Sequence, residues 1–408
     1  MSPHADAANA HGPRVVFVLS MFPCYDEAFL LREIHAVAER IDVWVFSLRR
    51  SRDRIVHHEA VALRARVLHA PLLAIVNAHV RLLARRPRRC LAALARLISG
   101  NARSLEFLVK NLAFFPKAVF LAHWALENGV THVHAGWATY PTSVALVVAD
   151  ITGLPFSFSG HAHDIYLDTT HLEEKLRRAS FVTTCTASNR EHLRRLAPEC
   201  PDQNIVLAHH GLRLETFVSG PRRESPLHIL SVGTLNPHKG FEYLIDAFAL
   251  LARAGLDFRG TIVGGGRLEG ALRSRLAAAA LGDRVVLTGP LPQTDVIAHF
   301  ARASIFALVA QPEWHWGIPN VIVEAMAARA AVVTTRFGSV EELVKDGETG
   351  LLVPPRDPAA LAEALGRLAR DAALRARLTA AGHAAVARSF ELHRCVATYI
   401  DLFQTRVA

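Results

Sequence analysis

The chain has 408 residues, 51% of them hydrophobic, 20% charged and 7% aromatic, a composition that excludes an extensively disordered chain and suits about two to three globular α/β domains with sizeable cores. A formal charge of +9 and a pI near 9.7 predict a basic surface that favours phosphates, anionic lipid or nucleic acid without choosing among them. The five cysteines, Cys24, Cys90, Cys185, Cys200 and Cys395, are scattered, odd in number and without a Cys-x-x-Cys pair, which argues against a disulfide framework and a zinc site and for a cytosolic setting.

The first residues are polar and include an acid, and the apolar run Val15 to Phe22 is too short for a signal-peptide core with its cleavage site. No run reaches about 18 uncharged apolar residues. The closest approach, Leu105 to Leu126, contains Glu106, Lys110 and Lys117, so no membrane-spanning segment is expected.

Arg14 to Leu19 reads as a buried strand, followed by a Ser-Met-Phe-Pro loop, a helix over Glu27 to Ala38 and a strand over Asp42 to Ser47. This order opens a doubly wound parallel sheet, whose ligands lie beyond the carboxyl ends of the strands. The loop Phe22 to Glu27 is not glycine-rich, so the nucleotide is not expected in this half. From His57 to Glu127 the periodicity becomes helical, with cations at Arg81, Arg85, Arg86, Arg88, Arg89, Arg96, Arg103, Lys110 and Lys117 and interleaved apolar residues opposite. Two readings stay open for this insertion: a solvated face over an ordinary core, or helices lying on anionic lipid.

Thr131 to Ala135 resumes strand character and places His132 and His134 on one face. A helix over Pro141 to Thr152 leads to the strand Pro155 to Ser159, which ends in Gly160-His161-Ala162-His163-Asp164. These four histidines lack a carboxylate or cysteine at ligand spacing, so no metal is expected. His161, just past a strand end, is either a packed, satisfied histidine or a polar contact in a cleft. A strand over Phe181 to Thr186, a helix over Asn189 to Leu196 and a strand over Ile205 to His209 close the first half, and Ser219 to Pro226 has linker composition.

Leu227 to Val232 restarts the α/β series. The loop Gly233 to Gly240 (GTLNPHKG) carries Lys239 and precedes an amphipathic helix over Phe241 to Ala254. Strands over Thr261 to Val263, Arg284 to Leu287 and Ser304 to Leu308 end in Gly264-Gly265-Gly266, Thr288-Gly289-Pro290 and the stretch Trp314 to Gly350. There, Gly317, Ile318, Pro319 and Asn320 predict a turn opening a helix, with Asn320 accepting from first-turn amides. Ile322, Val323, Met326 and Ala327 form its core stripe, and Glu324 lies one turn in, near whatever the helix start binds. A strand over Ala331 to Thr335 and a second helix from Val340 follow. Two helix starts beside one strand end suit a diphosphate. Lys239 at a strand end favours phosphate contact over a surface role, and Trp314 and Trp316 are either lid residues or a sugar platform. Helices over Ala359 to Arg370, Leu374 to Val386 and Ser389 to Phe403 complete the chain. The basic residues lie on helices without interleaved aromatics, so nucleic acid is not an expected partner.

These residues resemble the retaining glycosyltransferases of family four, through GIPNVIVEAMA, the Lys-Gly of GTLNPHKG, and GLLVPPRDPAALAEAL. Within that family the sequence is similar to bacterial enzymes of exopolysaccharide and colanic-acid-type synthesis, through FPCYDEAFLLREI, HVHAGWA, FSFSGHAHDIY and TASNREHL. The resemblance implies an α/β GT-B architecture, two facing Rossmann-like domains with a cleft between them. Residues 1–218 would be the acceptor-binding domain, with the basic helical insertion at 57–127 and closed by the helix 389–408, and residues 226–388 the nucleotide-sugar domain. It implies transfer of a hexose from UDP- or GDP-hexose with retention, without metal or cofactor, onto a lipid-linked or glycan acceptor by a cytoplasmic protein peripheral to the inner membrane.

By position, the resemblance implies that Lys239 neutralises the donor diphosphate, Glu324 binds the ribose and His161 touches the donor sugar. Gly317, Ile318, Pro319, Asn320 and Val321 would offer amides to diphosphate and sugar, and Gly233, Thr234, Gly265 and Arg267 complete the donor-binding set. Two positions depart from the family. Its first glutamate is Trp316 here, which can stack on a sugar but cannot accept hydroxyl bonds through a carboxylate, and the arginine that usually accompanies the lysine is Thr234. Glu313 or Arg267 would have to compensate. The departures give a second expectation, a catalytically degenerate nucleotide-sugar-binding scaffold of a polysaccharide synthesis complex.

Overall fold

The computed structural model describes residues 12–24, 27–51, 58–218, 220, 226–314 and 317–406. The chain divides into two compact units, Met1–Gly211 with His393–Ala408, and Leu212–Leu392. The division thus falls a few residues before the expected linker, most of which lies outside the described residues.

In the first unit the order is β1 (Arg14–Phe22), α1 (Ala28–Ala38), β2 (Asp42–Arg50), α2 (His58–Leu63), β3 (Val67–Leu68), α3 (Leu72–Arg85), α4 (Pro87–Asn101), α5 (Leu105–Glu127), β4 (His132–Ala135), α6 (Tyr140–Thr152), β5 (Phe156–Gly160), α7 (Ala162–Tyr166), α8 (Leu172–Arg178), β6 (Val182–Thr184), α9 (Ala187–Leu196) and β7 (Ile205–Leu207). The described strands form one parallel sheet in the order β3-β2-β1-β4-β5-β6-β7. A reversal of winding between β1 and β4 makes this a Rossmann-like topology.

β1 and β2 each run three residues beyond their predicted ends. Paired on both sides, β1 continues through Met21↔Arg49 and Phe22↔Arg50, because the parallel ladder, not the apolar run, sets its length. The insertion expected at 57–127 is not purely helical, since Val67 and Leu68 pair with Val45 and Phe46 as an edge strand. Its cations do not form one free face either. Arg86 donates to the carbonyls of Ile151 (3.1 Å) and Thr152 (2.9 Å) at the end of α6. Arg96 pairs with Asp150 at 2.5 Å, and Lys117 bonds the carbonyl of Leu48. Helix C-termini and strand ends offer carbonyls that such cations satisfy. Among the described residues no helix is long and apolar enough to cross a membrane.

The second unit comprises β8 (Leu227–Val232), α10 (Phe241–Arg253), β9 (Phe258–Val263), α11 (Glu269–Ala278), β10 (Val285–Gly289), α12 (Gln293–Arg302), β11 (Ile305–Leu308), α13 (Asn320–Ala327), β12 (Ala331–Thr335), β13 (Leu351–Val353), α14 (Pro358–Arg370) and α15 (Ala372–Ser389). Its parallel sheet has the order β10-β9-β8-β11-β12-β13, with the winding reversed between β8 and β11. The β13 strand was not among the predicted elements; its three residues carry no periodicity and pair through Val333↔Leu351 and Thr335↔Val353. The predicted second helix from Val340 is a single 3-10 turn, Val340–Glu342, so one α-helix start, not two, stands beside β12.

The last helix, α16 (Leu392–Thr405), packs on the first unit from His393 onward. Phe403 lies edge-on to Phe17, His132, His134 and Phe181. Beneath it runs a buried chain of polar side chains. Ser157 Oγ meets His132 Nε2 at 2.6 Å and His134 Nδ1 at 2.7 Å, and Ser159 joins His134, Thr183 and the Tyr399 hydroxyl. Burial pushes the His134 imidazole down to about 3 and that of His132 the same way. A histidine whose folded pKa is depressed binds its proton in the unfolded chain first, so stability is full above pH 6.5 and is lost as pH falls toward 3. His134 alone is expected to remove about 2 kcal/mol between pH 7 and pH 5. A melting series across that range checks this, with His134→Asn giving a shallower slope.

Candidate functional site

The second unit brings its candidate residues to the carboxyl edge of the sheet, around the switch between β8 and β11. The loop leaving β8 turns through Gly233 and Thr234 into the 3-10 turn Pro237–Lys239 and then α10. It is locked on two sides. Toward β9, the amide of Leu235 donates to the Gly265 carbonyl at 3.0 Å, and that of Leu268 to the Leu235 carbonyl at 3.0 Å. Gly264 has φ +145, and a Cβ there would sit 1.9 Å from the carbonyl oxygen of Gly233, so only glycine lets the two loops approach. Toward β11, the Gln311 amide donates to the His238 carbonyl at 2.8 Å. Gly240, at φ +64, would drive a Cβ to 2.3 Å from the Val309 carbonyl. Gly264→Ala is therefore expected to cost about 3 kcal/mol or more through backbone strain and overpacking, read as a lowered melting temperature.

Lys239 is half-buried at this junction, and burial pushes its ammonium down to about 8. The group stays mostly protonated at neutral pH, and a bound phosphate would raise it again. Arg267 is exposed just past the triple glycine, and both Lys239 and Arg267 act on His238, whose pKa is lowered mainly by burial. Thr234 is exposed.

The connection from β11 leads through Gly317, Ile318 and Pro319, all partly buried, into α13. The residue before the helix is Pro319, not Asn320, and no side chain caps the first turn. Asn320 is already helical, so its short side chain cannot reach back over the amides as expected. The consequence favours a ligand, because Asn320 and Val321 sit in an uncapped helix start that an anion can satisfy. The stripe Ile322, Val323, Met326 and Ala327 is buried as expected, and Glu324 is buried with them. Glu313 is exposed and its carboxylate holds Arg356 at 2.6 Å, which commits the acceptor that would have replaced the missing glutamate. Trp316 lies outside the described residues, as does the side chain of Trp314.

In the first unit His161 follows β5 and is buried. Its amide donates to Asp164 Oδ1 at 2.7 Å, and its ring lies against Trp137 (4.5 Å), His210 (5.0 Å) and Phe29 (5.5 Å). Burial, then the neighbouring His210, pushes the imidazole well below its usual value, so it is neutral. The His161 side chain accepts the Asp164 amide in a capping box, while Nε1 of Trp137 is buried without a protein partner among the described residues, which leaves a polar atom beside the ring for a ligand hydroxyl.

Sequence reasoning missed three features here. Trp137 entered only inside a motif. Glu33 pairs with His210 at 2.7 Å although 177 residues separate them. Burial opposes the His210 charge, yet Glu33 and the Cys185 thiol raise it to about 10. The third is Asp164, which accepts the amides of His161 and Ala138, near buried Lys175, whose ammonium bonds the carbonyls of Ala138 (2.7 Å) and Thr139 (3.0 Å). The spacing of Asp164 three residues after His161 was a legible signal; Lys175 left none.

Residues 226–371 match the family described as "Glycosyl transferases group 1". The amylovoran biosynthesis glycosyltransferase AmsK of Erwinia amylovora is 34% identical over 203 residues, 48% of this chain and 50% of that protein. The putative colanic acid biosynthesis glycosyltransferase WcaL of Escherichia coli is 34% identical over 172 residues, 41% of this chain and 42% of that protein. The chain thus spans about half the length, or less, of these curated relatives. Among solved structures, Anabaena HepE in complex with UDP superposes with a TM-score of 0.71 at 17% identity, over 95% of this chain and 98% of that one. Sucrose-phosphate synthase of Thermosynechococcus elongatus gives 0.71 at 17%, over 96% and 98%. Those two likenesses establish the fold, two Rossmann-like parallel sheets. On the matched segment, the chain carries a glycosyltransferase group 1 domain.

Proposed function

We propose that the protein is a metal-independent retaining glycosyltransferase that moves a hexose from UDP- or GDP-hexose to a lipid-linked or glycan acceptor at the cytoplasmic face of the inner membrane. The observation that carries this reading is the placement of Lys239 and the uncapped start of α13 at neighbouring strand ends across the β8/β11 switch, inside the group 1 domain. The amylovoran and colanic acid relatives, and the HepE structures solved with UDP and with UDP-glucose, support it.

In the proposed reaction the bond between the sugar's anomeric carbon and the diphosphate oxygen breaks, and its electron pair leaves with the diphosphate. Lys239 and the amides of Asn320 and Val321 take up the charge that develops there, where preorganised donors act most strongly. A departing phosphate oxygen receives the acceptor's hydroxyl proton as the new bond forms on the same face of the sugar, so no protein carboxylate need attack. Glu324 serves the ribose and His161 a sugar hydroxyl.

Incubating the purified full chain with UDP- and GDP-hexoses and a lipid diphosphate acceptor, and reading the product anomer by NMR, tests this reading. An inverted product, or donor consumption below saturation that is undiminished in Lys239→Ala, sinks it. Thr234 and the commitment of Glu313 to Arg356 favour one second reading, the non-catalytic nucleotide-sugar-binding scaffold. Tight nucleotide binding with no turnover on any acceptor is its signature.

The membrane part of the proposal draws on exposed apolar rows on the helical insertion. On α3 these are Leu72 (75% exposed), Leu73 (85%), Val76, Val80 and Leu83, and on α5 Leu105 (76%), Val109 and Leu112. Flotation with liposomes is expected to require anionic lipid and to weaken with salt.

A further inference from the structure

Three sequence motifs converge on the ring of His161, and the transfer reaction uses only His161 itself. FPCYDEAFLLREI supplies Phe29 and Glu33, one turn apart and so on one face of α1. HVHAGWA supplies Trp137, FSFSGHAHDIY supplies His161 with Asp164, and His210 arrives just past β7. The His161 ring is walled by Trp137 at 4.5 Å, Phe29 at 5.5 Å and His210 at 5.0 Å, the last inclined to it by only 21°. Phe29 also packs on His210 at 4.2 Å. Behind His210 stands Glu33, whose carboxylate meets Nδ1 at 2.7 Å, with the two side chains 11% and 5% exposed.

A buried ion pair adds little net stability, because desolvating two charges costs about what their attraction returns. Its place beside His161 accounts for it better. The Asp164 amide donates to the His161 side chain, so the accepting ring nitrogen is bare and the other carries the N–H of a neutral imidazole. A second proton would land on the accepting nitrogen, face the amide donor to donor, and release the ring. The cation on His210 opposes that proton. Burial lowers the His161 imidazole first, then His210, then His134, while Glu33 and Cys185 keep His210 charged against its own burial. Among the described residues, the titratable groups facing the two rings are Glu33, Cys185, His134 and Asp164, with Lys175 beyond Asp164 and Tyr399 beyond Glu33.

We propose that Glu33 and His210 are positioning residues for His161: their ion pair sets a fixed cation against one face of its ring, which keeps one nitrogen on the Asp164 amide and the other as an N–H donor to a sugar hydroxyl. The proposal rests on the transferase reading, in which His161 serves that hydroxyl, and adds the device that aims it.

Two variants of the full chain test it. Glu33→Gln keeps an oxygen for the His210 N–H and removes the charge that holds His210 protonated. Glu33→Met/His210→Phe removes both charges and keeps a ring against His161, a replacement that buried pairs often accept without loss of stability. Nitrogen NMR on protein with isotope-labelled histidine reads the ring directly, and the His161 signals are identified by their loss in His161→Gln. In the unmodified protein they are expected to show one bare and one protonated nitrogen throughout about pH 5 to 8. In both variants the second proton is expected to bind within that range. The transfer rate should fall with it, about tenfold at one pH unit below the new midpoint, and recover at higher pH; a merely structural loss would be the same at every pH. A His161 ring that titrates alike in the variants and the unmodified protein, or a rate loss independent of pH, overturns the positioning role and leaves the transferase reading standing. Absence of transfer by the unmodified protein removes the transferase reading, and the proposal with it.

Discussion

Lys239→Ala is expected to lower the rate of hexose transfer by a factor of about 10² to 10³, the range seen when one preorganised donor to a developing anion is removed. The loss should appear in kcat more than in donor KM, because the diphosphate carries more charge as it leaves than it does in the ground state. Lys239→Arg is expected to recover only part of the rate. The lysine emerges from a tight 3-10 turn whose following residue, Gly240, is pressed against the Val309 carbonyl, so the shorter, single-point geometry of an ammonium cannot be exchanged for a planar fork without misplacing charge. A pH profile adds a second check. Burial holds the ammonium near 8 in the unliganded protein, so donor binding should weaken as pH rises through that value, and Lys239→Arg should flatten the decline. An Ala variant with unchanged kcat and a raised donor KM would show that Lys239 only tethers the substrate.

The two sheets were legible because their signals are local. Leu227 to Val232, mostly apolar, and Ala331 to Thr335, an uninterrupted apolar or β-branched run, match β8 and β12 to the residue, as buried parallel strands should. The loops GTLNPHKG and GIPN announce themselves through glycine, proline and the helix that follows. The weak points were decisions set by tertiary partners. Asn320 reads as a cap, yet Pro319 takes that place, since its fixed φ and missing donor suit the entry to a helix. Arg86, Arg96 and Lys117 read as a basic face until their carbonyl and carboxylate partners are seen, and those partners lie 54 to 69 residues away in the chain. The ion pair of Glu33 with His210 joins the first helix to the end of the last strand in its unit; no spacing rule reaches that far.

Lys175→Met is expected to destabilise the first unit by about 3 to 5 kcal/mol, the cost of removing one member of a buried charged arrangement. Lys175 is 2% exposed, and its ammonium fills two backbone carbonyls, those of Ala138 and Thr139. Across the same loop Asp164 takes the amides of Ala138 and His161. The two side chains therefore clamp the segment carrying Trp137 to the turn carrying His161, and losing the lysine takes the ammonium from both carbonyls, of which that of Thr139 keeps the Ser143 amide at 3.1 Å, and leaves a carboxylate without its countercharge. Burial pushes Asp164 up to about 7 and Lys175 down to about 7, and each opposes the other's shift. With the lysine gone, the raised carboxyl remains, so the folded chain binds the extra proton and its stability falls as pH rises above the unfolded carboxylate range. The gap between the variant and the unmodified protein should consequently be wider at pH 8 than at pH 5. At about 2 to 4 °C per kcal/mol for a unit of this size, the melting transition of the first unit should drop by roughly 10 °C. Asp164→Asn placed on top of Lys175→Met removes the orphaned charge while keeping an oxygen acceptor for one of the two amides, and should restore part of the loss. A single variant that melts within 2 °C of the unmodified protein, by the roughly 10 °C criterion above, or a double variant with no recovery, would mean that the loop is held by its backbone alone and that Asp164 and Lys175 are not what fixes Trp137 beside His161.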